Sequence, residues 1–293
     1  ALHNIGGRPN KNILINNFFA GGGIRLEYGK FPINPRGKTF YQGKGHHLTG
    51  WFEEFDGDNL LEIHVSGIIF KAKKQFSNFA QNLDLSAYEG KKMTLSFWIS
   101  EVSDGMYIQA YQSGNPQSAV IVPANNGISM LTFDVIPNSG ITTVQVQYRD
   151  PDTEEYNSAK IYAAKLEEGD KQTLGWEDES GVHLFETPNF GEMLAESQQY
   201  LLPLTANSCW GYAESTTRVY LFVSLPVSMR TTPVFSGSLP SLYPQDGNAV
   251  TQVRAFSPSA ISNLITLAVD GTGFTPGKSY SANLIDGFLS AEM

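Results

Sequence analysis

The sequence has 293 residues, of which 41% are hydrophobic and only 17% are charged, and its formal net charge is −9. The length suits two domains, since a single core stops growing at about 250–300 residues. The low charge, together with 28 glycines, is typical of strands and tight turns rather than of helical bundles or disordered chains. The acidic balance argues against nucleic acid as the main partner, because that affinity depends on Lys and Arg neutralising phosphates.

The cysteine and hydropathy patterns set further limits. Cys209 is the single cysteine, so neither an intrachain disulfide nor a cysteine-based metal site can form, which fits synthesis in a reducing cytoplasm. No apolar run approaches the roughly 20 residues of a membrane-spanning helix, and the N-terminus lacks a signal-peptide pattern. Because the chain begins at Ala1 rather than at Met, we expect a fragment or a processed product.

The first half of the chain is predicted to form strands. Residues 1–12 are rich in Gly, Pro and Asn and are predicted to be an N-terminal arm or linker. Apolar and polar residues then alternate with the period of half-buried strands, with turns such as Asp104-Gly105 between them. The apolar rows are Leu61, Ile63 and Val65; Met93, Leu95, Phe97 and Ile99; Met106, Ile108 and Ala110; Leu131, Phe133 and Val135; and Val144, Val146 and Tyr148. This pattern predicts a two-sheet sandwich over residues 13–180.

The second half opens with a helix. The charged segment Leu166–Gly181 is predicted to be a boundary, and Asn189 with Glu192 forms a helix-capping pattern. An apolar stripe at helical spacing then comprises Phe190, Met193, Leu194, Ser197, Tyr200 and Leu201. Strands are predicted again at Arg218–Leu225, Pro233–Ser238, Thr251–Phe256, Leu264–Val269 and Ser279–Leu284. Residues 181–293 are therefore predicted to form a second, smaller β domain that begins with the helix.

Five stretches carry a family likeness, and their order is more specific than any one of them. They are Asn12–Asn17 followed by Asn34–Gly37 and Tyr41, then Gly90–Trp98, Ala164–Gly169, Glu192–Tyr200 and Leu225–Pro233. The first three resemble a carbohydrate-binding-module-like jelly roll common in bacteriophage tail and prophage proteins. The last two are similar to a helix and a strand of tail-fibre C-terminal domains. The helix departs from the family pattern at Ser197 and Gln199, where the family has Cys and Arg.

This resemblance implies a fold and a biological setting. The fold is all-β: a jelly-roll β-sandwich, a short helix and a second, smaller β-sandwich at the fibre tip. The setting is a homotrimeric bacteriophage tail fibre or receptor-binding protein, made in the host cytoplasm and located in the virion. Its implied partners are a bacterial surface polysaccharide and, through the N-terminal arm, other virion proteins. Membrane insertion is not expected.

The residues opposite the apolar rows combine flat rings with amide and guanidinium groups. Sugars need this mixture, because their C–H faces stack on rings while their hydroxyls need planar donors and acceptors. If the strands share a sheet, one glycan-binding face is predicted, formed by Trp98, Tyr107, Gln109, Tyr111, Gln145, Gln147 and Arg149. The alternative is that this face packs against another subunit or a neighbouring domain. Trp210 and Tyr212 form another aromatic pair, for which packing is the more common explanation.

No catalytic residue, cofactor or metal site is predicted. The sequence lacks a His-Glu-x-x-His motif, a phosphate-binding loop and a Gly-x-Ser-x-Gly turn. The acidic loop with Asp150, Asp152, Glu154 and Glu155 could hold Ca²⁺, but a solvated loop is the commoner arrangement. Adhesion to a glycan without cleavage is the favoured function. The alternatives are a polysaccharide depolymerase, although the expected β-helix repeats are absent, and a purely structural collar or decoration protein.

Overall fold

A computed structural model describes residues 11–14, 19, 40–48, 50–53, 58–64, 66–112, 119–136, 140–185, 189–203, 207–236, 242–244, 253–261, 264–284 and 288–291. The chain divides into two compact units, residues 1–193 and residues 194–293. Each unit is considered by itself below. Strands account for most of the described residues in both units.

The described part of the first unit consists of antiparallel strands joined by short turns. The strands are β1 (Phe40–Gln42), β2 (Gly45–Leu48), β3 (Trp51–Glu53), β4 (Leu60–His64), β5 (Gly67–Ala72), β6 (Asn78–Asp84), β7 (Lys92–Ser100), β8 (Met106–Gln112), β9 (Ala119–Ile121), β10 (Asn126–Asp134), β11 (Ile141–Tyr148), β12 (Asn157–Glu168), β13 (Gly175–Asp178) and β14 (Gly181–Leu184). A single 3-10 turn, Ser86–Tyr88, precedes β7.

Two six-stranded sheets form the body of this unit. Sheet A has the strand order β1-β4-β5-β12-β7-β10, and sheet B has the order β2-β3-β6-β11-β8-β9. Several strands that follow one another in sequence, such as β7 and β8, lie in different sheets, so the chain crosses repeatedly between the layers. This arrangement is a jelly-roll β-sandwich, and the predicted fold class is confirmed.

The core lies between sheets A and B and is built from the predicted apolar rows. All residues of those rows are buried except Ile63, which is half-buried, and Val65, which lies outside the described residues. An aromatic cluster closes one part of the core, where the ring of Trp51 stacks on Phe79 with 4.7 Å between centroids. Phe19 meets both rings edge-on. Fully burying such side chains contributes roughly 1.5–3 kcal/mol each, which makes them the main stabilising residues of the sandwich.

The segment predicted to be a boundary is held against sheet A. The backbone N and Oγ1 of Thr173 both donate to the buried carboxylate of Glu167, at 2.6 Å each, and Lys165 Nζ donates to Thr173 Oγ1 at 2.6 Å. The hairpin β13–β14 follows, and its Glu177 carboxylate accepts from the backbone N of Ile128 in the edge strand β10. Because an edge strand exposes unpaired backbone groups, this contact covers part of the sheet A edge.

The chain before the first strand also contacts sheet A. Asn12 Nδ2 donates to the carbonyl of Ala164 at 2.9 Å, and Asn12 Oδ1 accepts from the backbone N of Leu166 at 3.0 Å. Residue 12, the last of the predicted arm, is therefore fixed along β12. Residues 1–10 and the quoted stretch Asn34–Gly37 lie outside the described residues.

The predicted helix is present as α1, Phe190–Gln198. Asn189 Oδ1 accepts from the backbone N of Gly191 at 2.8 Å and of Glu192 at 3.4 Å, which confirms the predicted cap. Met193 and Ser197 of the stripe are buried, and Leu194 and Tyr200 are half-buried. No helix in the described part of the chain is long and apolar enough to span a membrane.

The second unit is a smaller pair of sheets. Its strands are β15 (Leu201–Pro203), β16 (Asn207–Ala213), β17 (Arg218–Ser224), β18 (Val234–Ser236), β19 (Leu242–Pro244), β20 (Val253–Ile261), β21 (Leu264–Gly271), β22 (Ser279–Leu284) and β23 (Phe288–Ser290). Sheet C has the order β19-β22-β16-β17-β21-β20, and sheet D has the order β15-β23-β18. Alternate residues of β17 and β21, including Val219, Leu221 and Leu267, are buried in the core of this unit.

Candidate functional site

The seven residues predicted to form one glycan-binding face are divided between two sheets. Trp98 lies in β7 of sheet A, between Ile128 of β10 and Ala163 of β12. The other six lie on β8 and β11 of sheet B or, for Arg149, directly after β11. The prediction of a single surface is therefore wrong for Trp98. The physical reason is that the turn after β7 carries the chain from sheet A across the core to sheet B.

Trp98 belongs to a separate group of side chains on the outer face of sheet A. Its ring stacks on Tyr162 at 4.5 Å between centroids with 19° between planes. The Tyr162 hydroxyl lies 2.8 Å from Ser100 Oγ, and Lys160 Nζ lies 5.4 Å from the Tyr162 ring centroid. Trp98 is half-buried by these contacts, and because it lies on the outer face of the opposite sheet it cannot contribute to a site formed by the other six residues.

The outer face of sheet B brings the remaining predicted residues into three cross-strand rows, which we call the sheet B face. The rows run from β6 through β11 to β8. They are Asn82–Thr143–Tyr111, Ala80–Gln145–Gln109 and Asn78–Gln147–Tyr107. The same side chains would point into the core if the register slipped by one residue, so the buried row Val144, Val146 and Tyr148 fixes which residues reach this face.

The amide groups of this face bind one another. Asn78 Nδ2 donates to Gln145 Oε1 at 2.6 Å, and Gln145 Nε2 donates to Gln109 Oε1 at 2.9 Å. Gln147 Nε2 donates to the carbonyl of Phe76 at 3.3 Å. Gln109, Gln145 and Gln147 are only 4–8% exposed. These amides therefore form a bonded layer between the two tyrosines instead of a solvated set of donors and acceptors, because buried polar groups are stable only when paired.

The tyrosine rings remain accessible on either side of the amides. Tyr111 is 45% exposed, and Tyr107 is half-buried beneath the guanidinium of Arg149, 5.5 Å from the ring centroid. The two tyrosines are four residues apart on β8, which corresponds to about 14 Å along a strand. The arrangement can present two ring faces and a cluster of guanidinium donors to a ligand that has both apolar faces and hydroxyl groups.

One further ring reaches the same face. Phe52 of β3 pairs with Ala80 of β6 and is half-buried, whereas its neighbour Trp51 is fully buried in the core. Strand alternation, which places adjacent residues on opposite faces, is the signal that distinguishes them.

A Ser-His-Asp group at the turn of the β13–β14 hairpin lacks the geometry of a nucleophilic triad. His183 Nε2 lies 2.9 Å from both Ser180 Oγ and Asp178 Oδ1. A triad needs the serine on one ring nitrogen and the carboxylate on the other. Hydrogen bonds from Ser180 and His183 lower the pKa of Asp178 to about 2. The group therefore closes a turn.

The acidic loop forms hydrogen bonds with other residues of the chain. Asp152 accepts from Lys74 Nζ at 3.0 Å and from the backbone N of Gln75 at 2.9 Å. These hydrogen bonds, with that from Gln75 the largest cause, lower the pKa of Asp152. Across the described ranges of the chain, no group of three or more His, Cys, Asp or Glu residues could hold a metal ion.

The second unit has an aromatic surface, of which the sequence analysis singled out only Trp210 and Tyr212. Trp210 and Tyr212 of β16 are 70% and 47% exposed. They pair with Phe222 and Tyr220 of β17, respectively. The alternation of Tyr220 and Phe222 with buried Val219, Leu221 and Val223 was a usable signal, but the pairing of β16 with β17 was not visible in the sequence.

Comparison with known proteins gives a weak structural likeness. No protein-family model matches the chain, and no curated protein matches it. Among solved structures, the chain is similar to the N-terminal CBM22-1-CBM22-2 tandem domain of Xyn10C from Paenibacillus barcinonensis, with 9% sequence identity and a TM-score of 0.31 over 97% of this chain and 96% of that chain. A likeness at this level does not show a family.

Proposed function

We propose that this chain is a non-catalytic adhesion protein that holds a bacterial surface glycan against the sheet B face. The single observation that supports this proposal most is the pair of rings, half-buried Tyr107 and exposed Tyr111, set about 14 Å apart along one strand beside a buried, internally bonded amide layer. Rings anchored on a stiff sheet lose little conformational freedom when a ligand binds, which favours recognition.

The chemistry of the face fits a neutral polysaccharide. A sugar ring offers C–H groups to the faces of Tyr107 and Tyr111, and its hydroxyls can accept from the guanidinium of Arg149. Arg149 is the one charged residue among the seven predicted ones, so the face has no cluster of cations to attract a strongly anionic chain. Gln109, Gln145 and Gln147 act by fixing the rings.

The setting proposed for this adhesion is the receptor-binding end of a bacteriophage tail fibre. The support is the order of the five sequence stretches that resemble tail-fibre proteins. The protein would be made in the host cytoplasm, assemble as a homotrimer, and attach to other virion proteins through its N-terminal region. Three copies on one fibre multiply weak single sites, because binding at one site raises the effective concentration at the others. A monomeric solution mass of 32.2 kDa, instead of three times that value, would contradict the fibre assignment.

The test compares the full chain with a Tyr107→Ala/Tyr111→Ala variant in binding to surface polysaccharides from a panel of bacteria. Aromatic stacking contributes about 0.5–1.5 kcal/mol per ring, so losing both rings is expected to weaken binding by about 5- to 150-fold. Phe40→Ala provides the control, because Phe40 is 47% exposed but lies on β1 of sheet A.

The possible results separate the alternatives. Weakened binding with an unchanged oligomer mass and unfolding curve supports recognition by the sheet B face. Unchanged binding in the double variant contradicts it. Loss of assembly along with binding indicates a structural virion protein, and release of reducing ends by the full chain indicates a depolymerase.

A further inference from the structure

The second unit carries an exposed group of rings that the sheet B face does not explain. We call Trp210, Tyr212, Tyr220 and Phe222 the sheet C aromatic surface. Trp210 is 70% exposed and Tyr212 is 47% exposed, while Tyr220 and Phe222 are half-buried. The ring centroids of Trp210 and Phe222 are 5.9 Å apart, and those of Tyr212 and Tyr220 are 6.3 Å apart. Tyr212 and Phe222, at 6.1 Å, join the two pairs into one patch.

Short side chains border these rings on both neighbouring strands. On β22, Ser281 pairs with Trp210 and Ser279 pairs with Tyr212. On β21, Thr266 pairs with Phe222 and Ala268 pairs with Tyr220. Residues paired across neighbouring strands share a face, so the rings stand above a border that is mostly hydroxyl-bearing. Both serines are exposed.

Two of the charged side chains next to the rings are paired with each other. Arg218 and Asp270 form a paired, two-bond contact, Nε to Oδ1 at 2.6 Å and Nη2 to Oδ2 at 3.0 Å. Asp270 is the largest cause of the raised pKa of Arg218, and Arg218 is the main cause of the lowered pKa of Asp270. The pair therefore stays ionised at neutral pH and adds no net charge to the patch. A ligand without charge fits such a surface.

We propose that the sheet C aromatic surface is a second glycan-binding site, selective for neutral glycans. The four rings supply stacking faces for sugar C–H groups, and Ser279, Ser281 and Thr266 supply hydroxyls beside them. A second copy of the chain fits less well. Serine and alanine are depleted at protein interfaces, yet Ser279, Ser281 and Ala268 border these rings.

The second site is independent of the sheet B face, because it lies on a different compact unit with its own core. Two weak sites on one chain would raise the apparent affinity for a long polysaccharide when its length allows both to be occupied. A single-sugar ligand would gain nothing from the second site. An apparent affinity that rises with the length of the polysaccharide would therefore identify the two-site arrangement.

The experiment measures binding of the full chain to an array of neutral and anionic bacterial polysaccharides. The test variant is Trp210→Ala/Tyr212→Ala, prepared alone and together with Tyr107→Ala/Tyr111→Ala. Val234→Ala is the matched control, since Val234 is 69% exposed in the same unit but lies on sheet D. Trp210→Gln serves as a milder variant if the double change impairs folding, which thermal unfolding would reveal.

The expected result is that Trp210→Ala/Tyr212→Ala weakens binding of at least one neutral glycan by tenfold or more, while Val234→Ala does not. The chain lacking Tyr107 and Tyr111 should retain that binding, which separates failure of the sheet B face from failure of this second site. Binding of every neutral glycan at the wild-type level by Trp210→Ala/Tyr212→Ala would overturn the proposal. A fall in oligomer mass in this variant would overturn it too, by identifying the surface as a contact between copies.

Discussion

Gly211 is the residue on which the geometry of the sheet C aromatic surface depends most. It lies between Trp210 and Tyr212 on β16 and opposite Leu221 on β17. A Cβ built at Gly211 would lie 1.6 Å from the backbone oxygen of Tyr220. That atom is backbone and cannot rotate away, so any larger residue must push the two strands apart.

We therefore expect Gly211→Ala to lower the free energy of unfolding by more than about 2 kcal/mol, through strain and lost strand pairing. Gly140→Ala is the control, because a Cβ at Gly140 meets nothing within 4 Å, and it should change stability by less than about 0.5 kcal/mol. Urea-induced unfolding followed by circular dichroism measures both. Equal stability of the two variants would show that β16 and β17 do not approach as described.

The thiol of Cys209, also on β16, is predicted to be unreactive in the folded chain. Its thiol is buried and lies 3.4 Å from the carbonyl oxygen of Ala282. Burial raises the pKa of this thiol to about 11, and only the thiolate is a reactive nucleophile.

At pH 8 the native chain should therefore react with a thiol-specific disulfide reagent at least tenfold more slowly than the urea-unfolded chain. The absorbance of the released thiol reports the rate in both states. Full reaction of native protein within the time needed for the unfolded chain would show that β16 opens readily.

At the scale of single elements, β11 connects the two halves of the sheet B face. Gln145 on this strand binds Asn78 of β6 on one side and Gln109 of β8 on the other. Removing its amide leaves a buried donor and a buried acceptor without these bonds, and an unsatisfied buried group costs about 1–3 kcal/mol.

Gln145→Ala is therefore expected to destabilise the chain by about 1–3 kcal/mol and to weaken glycan binding, because the rings lose their support. Gln199→Ala is the comparison, since Gln199 is exposed. Chemical unfolding and polysaccharide binding are measured on the same preparations. Wild-type stability in Gln145→Ala would mean that the amide layer is not bonded as described.

The elements themselves were predictable, but their partners were not. Alternation along Met93–Ser100 and Met106–Tyr111 identifies two strands and the face of each that is buried. It does not reveal that β7 and β8 belong to opposite sheets, which is why Trp98 was placed with Tyr107. The amide layer could not be predicted either, because Asn78 is 67 residues from Gln145. A local sequence pattern does not indicate which distant strands pair.

The whole molecule combines two β units, each with an outer sheet face proposed to bind a glycan through aromatic rings. In sheet B the rings stand beside bonded amides, and in sheet C they stand among hydroxyls and a neutralised ion pair. Under the proposed function, stacking and hydrogen bonding at each face would give modest affinity, and repeated sites would then provide the strength of attachment.

The most direct test of this account measures equilibrium binding of the full chain to purified bacterial surface polysaccharides while reducing ends are counted in the same samples. The account predicts saturable binding of a neutral polysaccharide, weakened about 5- to 150-fold on replacing Tyr107 and Tyr111, with no rise in reducing ends over the blank. Absence of binding to every polysaccharide, or binding accompanied by a steady release of reducing ends, would contradict it.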